Sequence, residues 1–285
     1  MSDSAEMGDG RHTTTRAAAV VVPPAPSTLA MVGRAFSYWL AQYRRTWRGT
    51  AISTVIEPLG FLAAIGLGLG SLVDKGHGSS TLGGVSYLAF IAPGLLAAAA
   101  MQTASFESTY PVMGSIKWHR TYHAQLATPL RVVDLLAGHL LFVVMRLTIS
   151  VTVFLAMMLA FGAIRSPWAV LALPVAILTG VAHATPIFGF AAKQDNDAGF
   201  AMLFRFGIVP MFLFSGTFFP VSQLPDVLQP IAYVTPLWNG VDLCRDLALG
   251  QPELTSALVH VAVLGAWTVA GFVVASRVFE KRLVT

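Results

Sequence analysis

Six ionisable side chains fall in or beside runs that otherwise carry almost no charge: Glu57, His139, Arg146 and His183 well inside, Glu107 and Arg205 close to a boundary. In hydrocarbon an unpaired acid or base costs at least about 2.5–3.5 kcal/mol, so each should have a partner. Glu57 and His139 each stand seven residues inside the start of their run, roughly 10 Å deep at 1.5 Å per residue, and are placed to meet. Arg146, two turns further along, is a second candidate. Two roles are open for such a set: an ion pair that fixes helix packing or faces a watery path, and direct contact with a bound molecule. One pair does not make a proton relay.

Other chemistries find less support. Ser215 sits in LFSGT beside Gly216, with His183 and His260 in other segments, but it lacks a glycine on its N-terminal side, as a nucleophile in a tight turn would want. There is no G-x-x-x-x-G-K-[ST] phosphate loop, so nucleotide hydrolysis is not expected of this chain. No H-E-x-x-H or Cys/His cluster is present, and neither a metal nor a cofactor is expected on it. Gly66, Gly68 and Gly70 follow no strand and read as close helix packing.

The elements that must position these residues are set by composition. Hydrophobic residues make up 55% and charged ones 11% of 285 positions, against about 25% charged in a soluble domain. The chain reads as an all-α integral membrane protein with six spans, near residues 50–72, 86–108, 132–161, 167–191, 199–217 and 255–276, each approaching the roughly 20 residues a bilayer requires. Residues 1–27 read as a disordered Ser/Thr/Pro-rich cytoplasmic tail, because the apolar run Ala17–Val22 is too short for a secretory signal before Pro23 and Pro24. Residues 28–285 form the membrane domain. Cys244 cannot make an intrachain disulfide, being the only cysteine.

Between the fifth and sixth spans lies an apolar stretch that cannot be one straight helix. Pro220, Pro225, Pro230 and Pro236 interrupt it, and each removes a backbone donor where no water can satisfy the freed carbonyls. Two re-entrant half-helices are expected, at about 222–233 and 237–249. Such backbone survives only against protein or at an aqueous cavity, which makes Phe218, Phe219, Trp238, Asp242 and Arg245 candidate site residues along with Pro220, Pro225 and Pro236.

Flanking cations give an orientation. Twelve (Arg34, Arg44, Arg45, Arg48, Lys117, Arg120, Arg131, Lys193, Arg205, Arg277, Lys281 and Arg282) fall on one side and three (Lys75, Arg165 and Arg245) on the other. Both termini and the 109–131 loop are therefore expected in the cytoplasm, with the proline-rich stretch outside. Residues 29–48 have helical periodicity, with Trp39 and Trp47 on an apolar arc and Arg34, Arg44, Arg45 and Arg48 nearly opposite. An interfacial helix on the lipid headgroups is expected, or a helix packed on a partner. The 109–131 loop gathers Tyr110, Lys117, Trp118, His119, Arg120, Tyr122 and His123. These are residue types that dominate protein interfaces, although the same aromatics and cations would also anchor a loop at the membrane surface.

The segment LFSGTFFPVSQLP at 213–225, followed by Pro236, Asp242 and Arg245, resembles the permease subunits of type-2 ABC exporters. The branch is that of nodulation-factor (lipo-oligosaccharide) and daunorubicin-type drug exporters. The openings IEPLGFLAAIGLGLG and YLAFIAPGLLAAAAMQTASFESTY support the match, which covers about residues 29–282. The resemblance implies six spans, a coupling helix near Tyr110–His123 and two outer re-entrant helices. It implies a second permease copy, expected as a homodimer, and two separate ATPase subunits that hold ATP and Mg. It also implies an amphipathic cargo at a bacterial inner membrane, with no nucleic-acid partner. An ion- or proton-coupled carrier using Glu57 or Arg146 is the alternative function, and an intramembrane hydrolase a more distant one.

Overall fold

The computed structural model describes residues 27–70 and 84–284. The tail through residue 26, the last two positions of the first expected span and Lys75 lie outside them. The described chain is helical throughout. Helix α1 (Thr28–Ala63) runs on into a π-helical turn at Ala64–Gly70. Helix α2 (Tyr87–Ser108) is followed by a hairpin of two short helices, α3 (Tyr110–Lys117) and α4 (Thr121–Leu126). Then come α5 (Val132–Ala160) and α6 (Ala172–Lys193). The next segment combines α7 (Ala198–Met202), a π turn and α8 (Val209–Phe214). The chain ends with α9 (Gln229–Val234), α10 (Pro236–Leu249) and α11 (Leu254–Leu283).

Four helical runs are long and apolar enough to cross a membrane: Tyr87–Lys117, Val132–Ala160, Pro167–Lys193 and Leu254–Leu283. They cover the second, third, fourth and sixth expected spans. The fifth is the 17-residue apolar helix Ala198–Phe214, in which the π turn Leu203–Ile208 directly precedes Pro210. Proline offers no N–H and crowds the preceding turn, and a widened turn accommodates both. The first expected span falls on the later part of α1, whose continuation is only partly described.

No break separates the expected interfacial helix from that first span. Instead α1 packs lengthwise on α5. Arg131 at the start of α5 reaches the Thr28 hydroxyl at 3.1 Å, Trp39 stacks on His139 at 3.8 Å between ring centroids, and Tyr43 lies beside Arg146. A Cβ added at Gly138 would collide with Ala35, so this glycine permits the approach of the two helices. Met31, Ala35 and Trp39 are buried on that face, whereas Trp47 of the expected apolar arc is exposed, as is Leu29.

The helices define two ends. The α3–α4 hairpin, the turn after α6 and both described chain ends gather at one, through the bonds of Thr28 to Arg131 and of Lys117 and Arg282 to Asp195. The proline-rich stretch, the start of α2 and the turn after α10 gather at the other, where Tyr87 reaches the Phe218 carbonyl and Arg165 N–H the Ala248 carbonyl.

Candidate functional site

Two regions gather the candidate residues, one at each end. At the proline-rich end the first expected half-helix does not form over 222–233. A short 3-10 turn at Val221–Gln223 precedes the six-residue α9, because Pro225 and Pro230 stand too close for a longer helix. The second half-helix is α10, with Pro236 in its first turn and the Thr235 hydroxyl capping Trp238 N–H at 3.2 Å.

Side chains take up the carbonyls freed by these breaks. Arg245 Nη2 donates to the Gly216 carbonyl at 2.7 Å, and its Nε to that of Phe90 at 3.1 Å. Asn239 Nδ2 donates to Tyr233 and Thr235, Trp267 Nε1 to Val234, and Gln229 Nε2 to Leu224. Gly216 has φ +77°, a turn that favours glycine. Gly94 lets the turn approach α2, because a Cβ there would stand 3.1 Å from the Thr217 carbonyl oxygen. Asp242 lies 3.4 Å from His260, whose other ring nitrogen meets Asn239 Oδ1 at 2.8 Å. These bonds tie α10 to α11. Trp238 packs edge-on to His260 and Tyr233, Phe218 packs against Phe212, and Phe219 lies against a small cluster of Val221, Leu224 and Ala232. Ser215 is buried against Thr235 at 3.3 Å, while His183 bonds to the Thr179 carbonyl and His260 to Asn239. Ser215 meets neither histidine; the serine–histidine bond at this end joins Ser256 Oγ and His260 Nε2, at 3.0 Å. Beside this end lies an apolar cleft of about 680 Å³, walled by His183, Met211, Ile231, Val234 and Trp267 among others.

At the other end the expected coupling residues divide into two groups. Trp118, His119, Arg120 and His123 are exposed at the hairpin tip, where Arg120 adopts φ 49°. Tyr110 is partly exposed and packs on Phe200. Tyr122, expected as a docking group, is instead fully buried. Its hydroxyl is 2.6 Å from His139 Nδ1, and its ring lies 6.4 Å from Trp39 and 5.7 Å from Phe279. Burial pushes its phenol pKa well above the usual value. Lys117 forms an ion pair with Asp195 at 2.9 Å, and Arg282 pairs with the same carboxylate at 2.7 Å. The hydrogen bond from Lys117, then that from Arg282, holds Asp195 below the usual carboxylate range. Asp195 is a site residue that the sequence reading missed, although an acid in a turn amid basic flanks was its available signal.

The expected meeting of Glu57 and His139 does not occur. His139 is enclosed by Tyr122, Trp39 and Phe188, and Glu57 has no ionic partner among the described residues. The buried ion pair is Arg146 with Glu107, at 2.8 Å. Of the arginines expected on the first helix, Arg34 bonds only weakly to the Met31 sulfur at 4.0 Å, while Arg44, Arg45 and Arg48 are exposed, Arg48 lying over Trp47.

The family model for ABC-2 type transporter matches residues 28–249, most of the chain. The chain belongs to the ABC-2 type transporter family. It is 33% identical over 256 residues to nodulation protein J of Rhizobium leguminosarum bv. viciae, covering 86% of this chain and 95% of that protein. It is 30% identical over 254 residues to nodulation protein J of Sinorhizobium fredii (87% and 94%) and 29% identical over 252 residues to that of Rhizobium meliloti (86% and 94%). Family membership and the apolar helices make this ABC-2 chain a multi-pass membrane protein and a transport subunit, which implies an ATPase partner. The relatives agree with the branch read from LFSGTFFPVSQLP.

Proposed function

We propose that this chain is the membrane-spanning permease of an ATP-driven exporter, carrying an amphipathic molecule such as a lipo-oligosaccharide, glycolipid or hydrophobic drug outward. Two copies of the chain would pair with two ATPase subunits in a bacterial inner membrane. Both termini and the α3–α4 hairpin would face the cytoplasm, and α9 and α10 the exit. ATP and Mg would be held by the partner.

One observation carries the reading. The exposed tip Trp118–Arg120 stands directly before Tyr122, whose buried ring joins Trp39 of α1, His139 of α5 and Phe279 of α11. Packed interiors transmit displacement because they have few voids to absorb it. A push on the tip therefore reaches three long helices through one side chain, while the Asp195 bridge draws in the end of α6. An apolar interior suits a cargo already dissolved in the leaflet, and the twelve-to-three cation bias supports the orientation.

The test is transport of a fluorescent amphipathic reporter in inside-out vesicles containing the permease and its ATPase. Uptake should require hydrolysable ATP and survive collapse of the proton gradient. Uptake that persists without ATP and stops with the gradient would instead make the chain an ion-coupled carrier.

A further inference from the structure

Where α1, α2 and α5 converge, a cleft of about 130 Å³ is lined by Trp39, Gln42, Tyr43, Glu107, Phe142 and Arg146. That is room for about four waters at liquid density, the scale of one sugar ring and not of several. Its polar contents are an ion pair with spare hydrogen-bonding capacity. The Arg146 side chain is only 9% exposed and is bound to Glu107 through Nε at 2.8 Å, while Nη1 makes just a long contact of 3.4 Å to the Tyr43 hydroxyl.

The charge state decides what such a cleft can take. Arg146 and Glu107 neutralise one another, so an anionic ligand would have to draw the guanidinium away and leave a carboxylate poorly paired in a largely buried site, which is costly. A cation would strand Arg146 in the same way. An uncharged group bearing hydroxyls meets neither obstacle, because one hydroxyl can donate to Glu107 while another accepts from Arg146. Tyr43 and Phe142, also in the lining, give the cleft an apolar wall, with the Arg146 guanidinium lying over the Tyr43 ring.

We propose that this cleft is a headgroup subsite for an uncharged, hydroxylated ring, a sugar carried on a lipid, with Glu107 and Arg146 as its polar contacts and Trp39 in its wall. This rests on the exporter reading and deepens it by placing cargo selection beside the hub formed by Trp39, His139 and Tyr122.

The experiment uses the whole chain labelled with 5-fluorotryptophan in lipid nanodiscs, with the Trp39 fluorine signal identified by its loss in Trp39→Phe. Octyl glucoside, octyl sulfate and octyl tetraethylene glycol, each below its micelle threshold, share a tail and differ in headgroup. The glucoside should shift the Trp39 signal saturably and the other two should not. Glu107→Gln should weaken that response at least tenfold. Because that change disturbs a buried pair, Gln42→Ala at the exposed lip is the second variant, expected to weaken the response several-fold with the other tryptophan signals in place. A Trp39 signal unmoved by glucoside, moved equally by the ethylene glycol probe, or moved by the sulfate alone overturns the subsite, as does a response unchanged in both variants. No ATP or partner is involved, so loss of the subsite with ATP-driven transport intact, and the converse, are separate results.

Discussion

Arg245 donates from Nη2 to the carbonyl of Gly216 at 2.7 Å, across the turn that follows α8. The same guanidinium reaches Phe90 through Nε and lies 4.0 Å over the Phe90 ring. One buried cation thus fastens the broken backbone to α2. A loop that needs four prolines to fold back can persist in an apolar setting only with such donors.

Arg245→Met should therefore leave two buried carbonyls without charge-assisted bonds, at about 1.5–3 kcal/mol each before any relaxation. The expected result is a marked fall in melting temperature or folded yield in detergent. Arg245→Lys should recover part of it, because an ammonium cannot copy the planar fork. Equal stability of wild type and Arg245→Met would show that the carbonyls have other partners.

Gly138→Val should separate α1 from α5, since even one added carbon meets Ala35. Overpacking of this kind costs about 1–3 kcal/mol. A cysteine pair at Thr28 and Arg131, which are hydrogen-bonded in the wild type, should cross-link less efficiently in that background.

The hairpin residues should separate by role. Tyr122→Phe removes the bond to His139 and leaves a buried ring nitrogen unsatisfied, at about 1–3 kcal/mol. Tip variants at Trp118 and Arg120 should cost little stability, because both side chains are exposed. Thermal melts of the three variants check this.

Asp195 gives a pH signature. Its folded pKa lies below the unfolded value, so its contribution is present above the ordinary carboxylate range and lost as pH falls through the folded pKa. Asp195→Asn should flatten that acid-side loss. Because the group is exposed, the effect should also shrink in high salt. Melting temperature measured against pH at two ionic strengths is the check.

The long apolar runs and the proline break were legible in the sequence because each depends on local composition. The spans at 86–108, 132–161, 167–191 and 255–276 have helical counterparts, and α10 falls within a residue of its expected range. Pairings across helices were less legible. Glu57 was matched to His139 by equal distance from helix starts, but α5 has 29 residues, about 43 Å at 1.5 Å per residue. That exceeds a hydrocarbon core of about 30 Å, so counting from its start does not give depth. The true partner of Arg146 is Glu107, on the helix that ends beside it. Tyr122 was misplaced for a different reason, since an aromatic in a polar loop has the same composition whether it faces a partner or the core.

In the proposed cycle, movement at the Trp118–Arg120 tip drives the membrane helices. ATP hydrolysis by the partner ATPase, co-reconstituted in proteoliposomes with wild type or the Trp118→Ala/Arg120→Glu variant, tests it most directly. Wild-type permease should stimulate hydrolysis, and the double variant, inserted and folded normally, should lose most of that stimulation. Stimulation unchanged in the variant would contradict it.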